Sequence, residues 1–359
     1  MPTPTIPNGA AYMAATLYTG NGGTLSVTNS GSFQPDFVWM KSRSNNYSNT
    51  LYDSVRGTGT ATALYSDTTN AEGADTTLQN LTSFNANGFS LGTTSGTNII
   101  NTNGASLVAW QWKAGGTSVS NTSGTITSSV SANTTSGFSV VIYTGTGANA
   151  TVGHGLGVAP SMIIIKQRST ASVNGNWAVY HQSLGNTGYL ALNTTSAVSN
   201  DIGYWNNTSP TSNVFSVGTF EVTNRSTATY VAYCWAPIAG YSAFGSYTGN
   251  GSTDGPFIYT GFRPAFIMIK SSSTGGAGYD WFIQDTSRNP TNDGTLNHLW
   301  ADSSLAENNG TISTAANNVI DVLSNGFKCR YAGGATNGSG VTMIYMAFAA
   351  NPFKYSNAF

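Results

Sequence analysis

The sequence predicts an all-β protein of three tandem β-sandwich repeats, jelly-roll or concanavalin-like in kind, and three observations carry the prediction. Apolar, β-branched and aromatic stretches are short and separated by clusters of Gly, Asn, Ser and Thr, as expected of many brief strands joined by turns. Helical periodicity is nearly absent, and only residues 69–72 and their counterparts 304–307 offer a helical turn. One set of motifs recurs three times in the same order. The pattern leaves the choice between a jelly roll and other sandwich topologies open.

The central repeated stretch is Phe33-Gln-Pro-Asp-Phe-Val-Trp-Met-Lys-Ser-Arg43, which returns as Gly157-Val-Ala-Pro-Ser-Met-Ile-Ile-Ile-Lys-Gln-Arg168 and Phe262-Arg-Pro-Ala-Phe-Ile-Met-Ile-Lys-Ser271. Its apolar middle reads as a strand buried on both faces, led by a Pro where a missing N–H costs no ladder bond. Upstream stand Tyr18-Thr-Gly-Asn-Gly22, Tyr143-Thr-Gly-Thr-Gly147 and Tyr247-Thr-Gly-Asn-Gly251, and the Tyr-to-Pro interval is 17 each time (18 to 35, 143 to 160, 247 to 264). Downstream come Leu51-Tyr-Asp-Ser-Val-Arg-Gly57 and its relatives, then Asn87-Gly-Phe89, Gly218-Thr-Phe220 and Asn325-Gly-Phe327. The copies close on Val108-Ala-Trp-Gln-Trp112, Val231-Ala-Tyr-Cys-Trp235 and Ile344-Tyr-Met-Ala-Phe348. In copy one the expected strands are 14–18, 37–41, 51–53, 89–91 and 107–112, with another around Phe84. The closing strand alternates sides, so one of its faces is free for solvent or a partner domain.

These motifs, with Val152-Gly-His-Gly-Leu-Gly-Val-Ala-Pro-Ser-Met-Ile-Ile164 and the ending Met346-Ala-Phe-Ala-Ala-Asn-Pro-Phe-Lys354, resemble a repeat family of virion proteins from tailed phages of marine bacteria. The resemblance spans roughly residues 12 to 355. It implies a structural component at the particle surface, of the tail-fibre-like or uncharacterised structural kind, and transfers no catalytic residue.

Composition points the same way. At 359 residues the chain holds three copies of about the size of a common sandwich domain. Only 8% of residues are charged, against roughly 25% in an average globular protein, so the surface is built of Asn, Thr, Ser and Gly. A net charge of −1 without a basic run argues against a nucleic-acid partner. No apolar run approaches the ~20 residues of a membrane-spanning helix, and no signal sequence opens the chain. The expected divisions are an N-terminal arm at 1–11, repeat one at 12–113, a Gly/Ser/Thr/Asn-rich linker at 114–137, repeat two at 138–237 and repeat three with its tail at 238–359. Within the linker, Ile126 and Val130 offer an edge strand.

Candidate site residues are few. Lys41, Lys166 and Lys270 end the central strand in every copy; as sugar or anion contacts they would be functional, and as edge lysines paired with an acid they would be structural. Asp53 and Asp285 are the acids to hand, with Arg56 and Arg288 three residues later, while copy two has His181 and Leu184 there. The structural reading is the stronger for all seven charged positions. Tyr204 and Trp205 are the best ligand-binding candidates, in a loop where copy two looks longest: 23 residues from Ala197 to Phe220, against 18 from Ala71 to Phe89 in copy one. His154 sits in a Gly-rich turn that lacks the helix of a phosphate loop, and His154, His181 and His298 have no metal-ligand spacing. Calcium held by loop Asp and carbonyl oxygens stays open. Cys234 and Cys329 read as small buried hydrophobes. Glu72 and Glu307 are one repeat position in two copies and cannot flank one glycosidic bond. No catalytic set, cofactor or metal site is expected.

The expectation is therefore a non-enzymatic virion protein, a short tail fibre or adhesin recognising host surface glycan or protein. A capsid-decorating or head-fibre protein is the alternative, and a glycan-cleaving tail spike a further one. Other virion proteins are the expected partners, with a homo-oligomer, a trimer among the options.

Overall fold

The stretches that recur in the sequence become the middle strands of three sheets. The computed structural model describes residues 6–169, 175–294, 297–308 and 319–350. Copy one contributes β1 (Met13–Thr19), β2 (Leu25–Thr28), β3 (Phe37–Ser42), β4 (Thr50–Asp53), β5 (Leu64–Tyr65), β6 (Leu81–Asn85), β7 (Gly88–Leu91) and β8 (Ser106–Trp112). The next stretch forms β9 (Val119–Asn121), β10 (Ser128–Asn133), β11 (Phe138–Thr144), β12 (Ala150–Gly153), β13 (Met162–Gln167), β14 (Ala178–His181), β15 (Gly188–Ala191), β16 (Ser199–Asn200), β17 (Val214–Val217) and β18 (Thr229–Trp235). Copy three supplies β19 (Ser242–Thr248), β20 (Phe257–Tyr259), β21 (Pro264–Ser271), β22 (Phe282–Asp285), β23 (Leu299–Trp300), β24 (Ile320–Leu323), β25 (Gly326–Cys329) and β26 (Thr342–Ala349). The described residues are nearly all-β, and their strand pairs are antiparallel.

Three five-strand sets share one topology: β1-β8-β3-β4-β5, β11-β18-β13-β14-β15 and β19-β26-β21-β22-β23. A smaller sheet covers the outer face of each: β2-β7-β6, β12-β17 and β20-β25-β24. The alternation along the closing strand explains how one sheet serves two cores. Val108, Trp110 and Trp112 on β8 point into a central core, while Ala109 points into an outer core with Val27, Leu81 and Phe89 of the small sheet. The face that the sequence left for solvent or a partner domain thus meets the other repeats.

That central core draws on all three copies. Phe37 stacks on Tyr233 with ring centroids 4.3 Å apart, and Trp112 meets Trp235 at 6.1 Å, Phe266 at 5.4 Å and Phe348 at 5.8 Å. Each large ring removes roughly 150–250 Å² from water, so the three sheets gain most by facing one another. The repeats close into a ring about this cluster and are not strung out in series.

The Tyr-Thr-Gly-x-Gly motif receives a physical reason. The hydroxyls of Tyr18, Tyr143 and Tyr247 donate to the carbonyls of Ile100, Thr223 and Thr336. The next residue in each case, Asn101, Asn224 or Asn337, is buried and accepts an amide proton from Asn21, Thr146 or Asn250. Gly22, Gly147 and Gly251 lie at φ 70°, 75° and 66°, where L side chains are strained.

Several expectations change. Residues 114–137 are not a free linker: β9 and β10 extend the second sheet beyond β11, and Ile126 bridges Val152 in parallel. Ile6 packs into the central core and Ala10 donates to the Ala350 carbonyl at 2.8 Å, so the described end of the expected arm is anchored. The rest of that arm, residues 1–5, and the tail from 351 lie outside the described residues. The turns at 69–72 and 304–307 are not helical, because their backbone bonds outward: Glu72 N to Arg168 O and Glu307 N to Arg43 O. Short α-helices occur at α1 (Ile202–Trp205) and α2 (Glu221–Asn224).

Candidate functional site

The recurrent charged residues converge on the contacts between repeats. Lys41, Lys166 and Lys270 are all buried. Lys41 donates to Ser304 O of repeat three at 2.8 Å, Lys166 to Thr69 O of repeat one at 3.0 Å, and Lys270 to Thr195 O of repeat two at 3.2 Å. The three acceptors occupy one repeat position, so the bonds form a closed cycle. Burial lowers the lysines from their ordinary value to about 8 for Lys41, about 7 for Lys166 and about 8 for Lys270. The acids anticipated as their partners sit elsewhere. Strand register places Asp53 opposite Phe37, at the far end of β3 from Lys41.

Asp53 and Asp285 instead hold their own arginines. Arg56 Nε lies 2.5 Å from Asp53 Oδ2, and Arg288 Nε lies 2.6 Å from Asp285 Oδ2, with every side chain fully buried. Each acid also binds the next repeat, since Tyr233 Oη donates to Asp53 at 2.8 Å and Trp110 Nε1 donates to Asp285 at 2.9 Å. Between repeats two and three the equivalent of that Tyr or Trp is Met346, which has no donor. There His181, replacing Asp, bonds the Tyr345 carbonyl through Nε2 at 3.2 Å. Loss of the charge in copy two therefore follows its partner. Glu72 links Arg56 to Arg168, and Glu307 links Arg288 to Arg43, at 2.7–3.1 Å. Val198 and Ser272 stand in those places at the third contact.

Tyr204 and Trp205 do not form a ligand site. They lie on α1, 4% and 1% exposed, inside the outer core of repeat two. Tyr204 stacks on Tyr189 at 3.6 Å, and Trp205 Nε1 donates to Gly188 O at 3.0 Å. The apparent insertion came from pairing the wrong phenylalanine. Phe215, opposite Val152 on β17, is the counterpart of Phe89 opposite Val27, and it stands 18 residues after Ala197, as Phe89 does after Ala71.

The other candidates are also structural. His154 is buried, with Nδ1 accepting from Leu156 N and Nε2 against Thr211 O, which fixes the Gly-rich turn. Cys234 and Cys329 are free buried thiols. Among the described residues, no group of three or more His, Cys, Asp or Glu could hold a metal ion, and no helix is long and apolar enough to cross a membrane. An open cleft of about 460 Å³ between repeat one and β10 is lined by Asp36, Lys113, Gly116 and Asn133. Its carboxylate is already committed to Ser54 Oγ, Ala114 N and Gly116 N.

The outer sheets also differ among the repeats in what they turn to solvent. On either side of the inward Val27, Val152 and Ile258, the residues facing away from the core are Ser26 and Thr28 in copy one, Thr151 and Gly153 in copy two, and Phe257 and Tyr259 in copy three. Phe257 is 45% exposed and Tyr259 62%. Opposite Phe257 stands Lys328, and opposite Lys328 stands Asp321. Lys328 pairs with Asp254 at 2.6 Å, and Arg330 with Asp321 at 2.5 Å. Copy one carries hydrogen-bonded serines there, with Ser26 Oγ 3.1 Å from Ser90 Oγ. Sequence reasoning missed this face, though aligning copies on the inward residue exposes it.

Residues 8–352 match the family model described as a domain of unknown function, DUF7483, and the chain belongs to that family. The three repeats together make up the single matched region. No curated protein and no solved structure matches the chain.

Proposed function

We propose that the chain is a structural protein of a phage virion, exposed at the particle surface as a short tail-fibre or adhesin component for host attachment. In this reading its units are three tandem β-sandwich domains of jelly-roll or concanavalin-like kind, joined to other virion proteins and assembled as a homo-oligomer. The observation that carries it is the contrast between charged residues spent on contacts between repeats and an outer face of repeat three that bears exposed aromatics. The buried lysines, arginines and acids are engaged in holding repeats together, whereas repeat three alone turns a Phe and a Tyr outward. The tail-fibre-like motifs and the scarcity of surface charge support the same reading.

Immunogold labelling of intact virions with antibody against residues 241–359 tests it, together with adsorption of the purified chain to host cells. Gold at the tail and adsorption to cells are expected. Gold spread over the head, with no adsorption, would replace attachment by capsid decoration.

A further inference from the structure

We infer that the outer face of β20-β25-β24 in repeat three is a binding platform for an uncharged glycan, a deepening that rests on the attachment reading. Phe257 and Tyr259 are two residues apart on one strand, so their side chains leave the same face about 7 Å apart. A Cβ on Gly326 would fall 2.1 Å from the Ile258 carbonyl, as one on its counterpart Gly88 would fall 1.9 Å from the Val27 carbonyl, so the strand pairing requires glycine in both copies; in copy three the Phe257 ring lies 3.0 Å from that position. Gly261, at φ 82°, turns the chain beside the Tyr259 hydroxyl, 3.6 Å from where its Cβ would be. The result is an outer face with two exposed aromatic side chains, Phe257 beside Lys328 and Tyr259 beside Gly326.

The rim decides the ligand class. Asp254, Asp321, Lys328 and Arg330 border the rings, two of each sign, joined by bonds of 2.5–3.5 Å. Their charges cancel, so the face offers no net attraction to an anionic or cationic polymer. Asp254, Lys328 and Arg330 remain reachable donors and acceptors, their side chains 80%, 26% and 39% exposed. Aromatic faces for the C–H side of a sugar ring, edged by fixed hydrogen-bonding groups, are what a neutral pyranose needs. For a protein partner the apolar part of the face is two side chains bordered by charge, whereas a stable interface takes about 800 Å² per side, some 20–30 residues. The equivalent face of repeat one, with Ser26, Thr28, Ser83, Asn85, Gly88 and Ser90, lacks the rings. That of repeat two is closed by the chain itself, where Ile126 N bonds Thr151 O at 2.9 Å.

The test is affinity electrophoresis of the full chain through gels containing laminarin, dextran, xyloglucan or agarose-derived oligosaccharide, with alginate as the anionic comparison. Retardation by at least one neutral polymer and none by alginate is expected. Tyr259→Ala should weaken that retardation about tenfold and Phe257→Ala,Tyr259→Ala should abolish it, while Thr28→Ala in repeat one changes nothing. Both aromatics are exposed, so these variants keep the fold. No retardation by any neutral polymer, retardation by alginate alone, or retardation indifferent to Tyr259 overturns the proposal. Host-cell adsorption run in parallel separates the two levels. Adsorption that survives the double substitution sinks the platform and leaves attachment standing, whereas wild-type chain that ignores cells sinks attachment itself.

Discussion

The exchange of Asp for His in copy two makes the contacts between repeats experimentally separable. Asp53→His keeps a polar side chain but removes the acceptor shared by Arg56 Nε and Tyr233 Oη, 2.5 and 2.8 Å away. The Arg56 guanidinium, fully buried, would then have only Glu72 as ionic partner. Breaking one member of a buried ion pair costs about 3–5 kcal/mol, most of it the uncompensated charge. Adding Arg56→Leu and Tyr233→Met reproduces the set His181, Leu184 and Met346 found between repeats two and three. The introduced imidazole then has the Ala232 carbonyl, counterpart of the Tyr345 carbonyl that holds His181, as its acceptor. Glu72 keeps Arg168 at 2.8 Å. The triple variant should recover all but about 1–2 kcal/mol, since a buried pair and an apolar replacement of like volume are often near equal in stability. Urea unfolding followed by tryptophan fluorescence measures both, with an unchanged m-value confirming that the same surface unfolds. A single variant within about 1 kcal/mol of wild type, or a triple variant no more stable than the single, would refute the argument.

Three further outcomes follow from other buried polar groups. Lys166 is held at about 7 by burial while the unfolded chain keeps the ordinary value of 10.5, so between these the unfolded state binds more protons and stability rises with pH. Lys166→Met should flatten part of the rise in urea midpoint between pH 7 and 9, and an unchanged slope would contradict it. His181 and His298 are each held at about 4, so stability should fall as pH drops from 6.5 through 4; His181→Gln should shallow that acid limb in a pH series. Asn337→Ala removes the acceptor for Asn250 N and the donors to Asn250 Oδ1 and Ser252 O. A loss of about 1–3 kcal/mol is expected, with faster hydrogen exchange at Asn250 and little change at Asn21 in repeat one.

The repeats, their central strands and the all-β class were legible from residue order. Apolar alternation, Pro at strand starts and Gly in turns act within a few residues, and the threefold recurrence of Tyr-Thr-Gly-x-Gly made them hard to mistake. Asn101, Asn224 and Asn337 were legible too, had the interval to the closing strand been counted, since each stands 7 residues before Val108, Val231 or Ile344. The pairing of Phe220 with Phe89 failed because copy two has no strand between α1 and β17 to match β6 and β24, and motif likeness alone could not choose between Phe215 and Phe220.

What the residues by themselves determined was the inventory: three copies, short buried strands, a lysine ending each central strand, and a surface poor in charge. Only the tertiary structure decided what those lysines and acids are for. Lys41 meets Ser304 across 263 positions of chain and Trp110 meets Asp285 across 175, distances over which no local pattern carries information. Ring closure brings them together because the inner faces of three sheets, each lined with Trp, Phe, Tyr or Met, have nowhere drier to go than against one another. Of the polar groups carried inward with them, Lys41, Lys166, Lys270, Asp53 and Asp285 find partners on the neighbouring repeat, which offsets the cost of burying them, while the indole nitrogens of Trp112 and Trp235 stay unpaired. The same closure leaves the small outer sheets facing solvent, which is why a difference as slight as Ser26 and Thr28 against Phe257 and Tyr259 becomes a difference in surface.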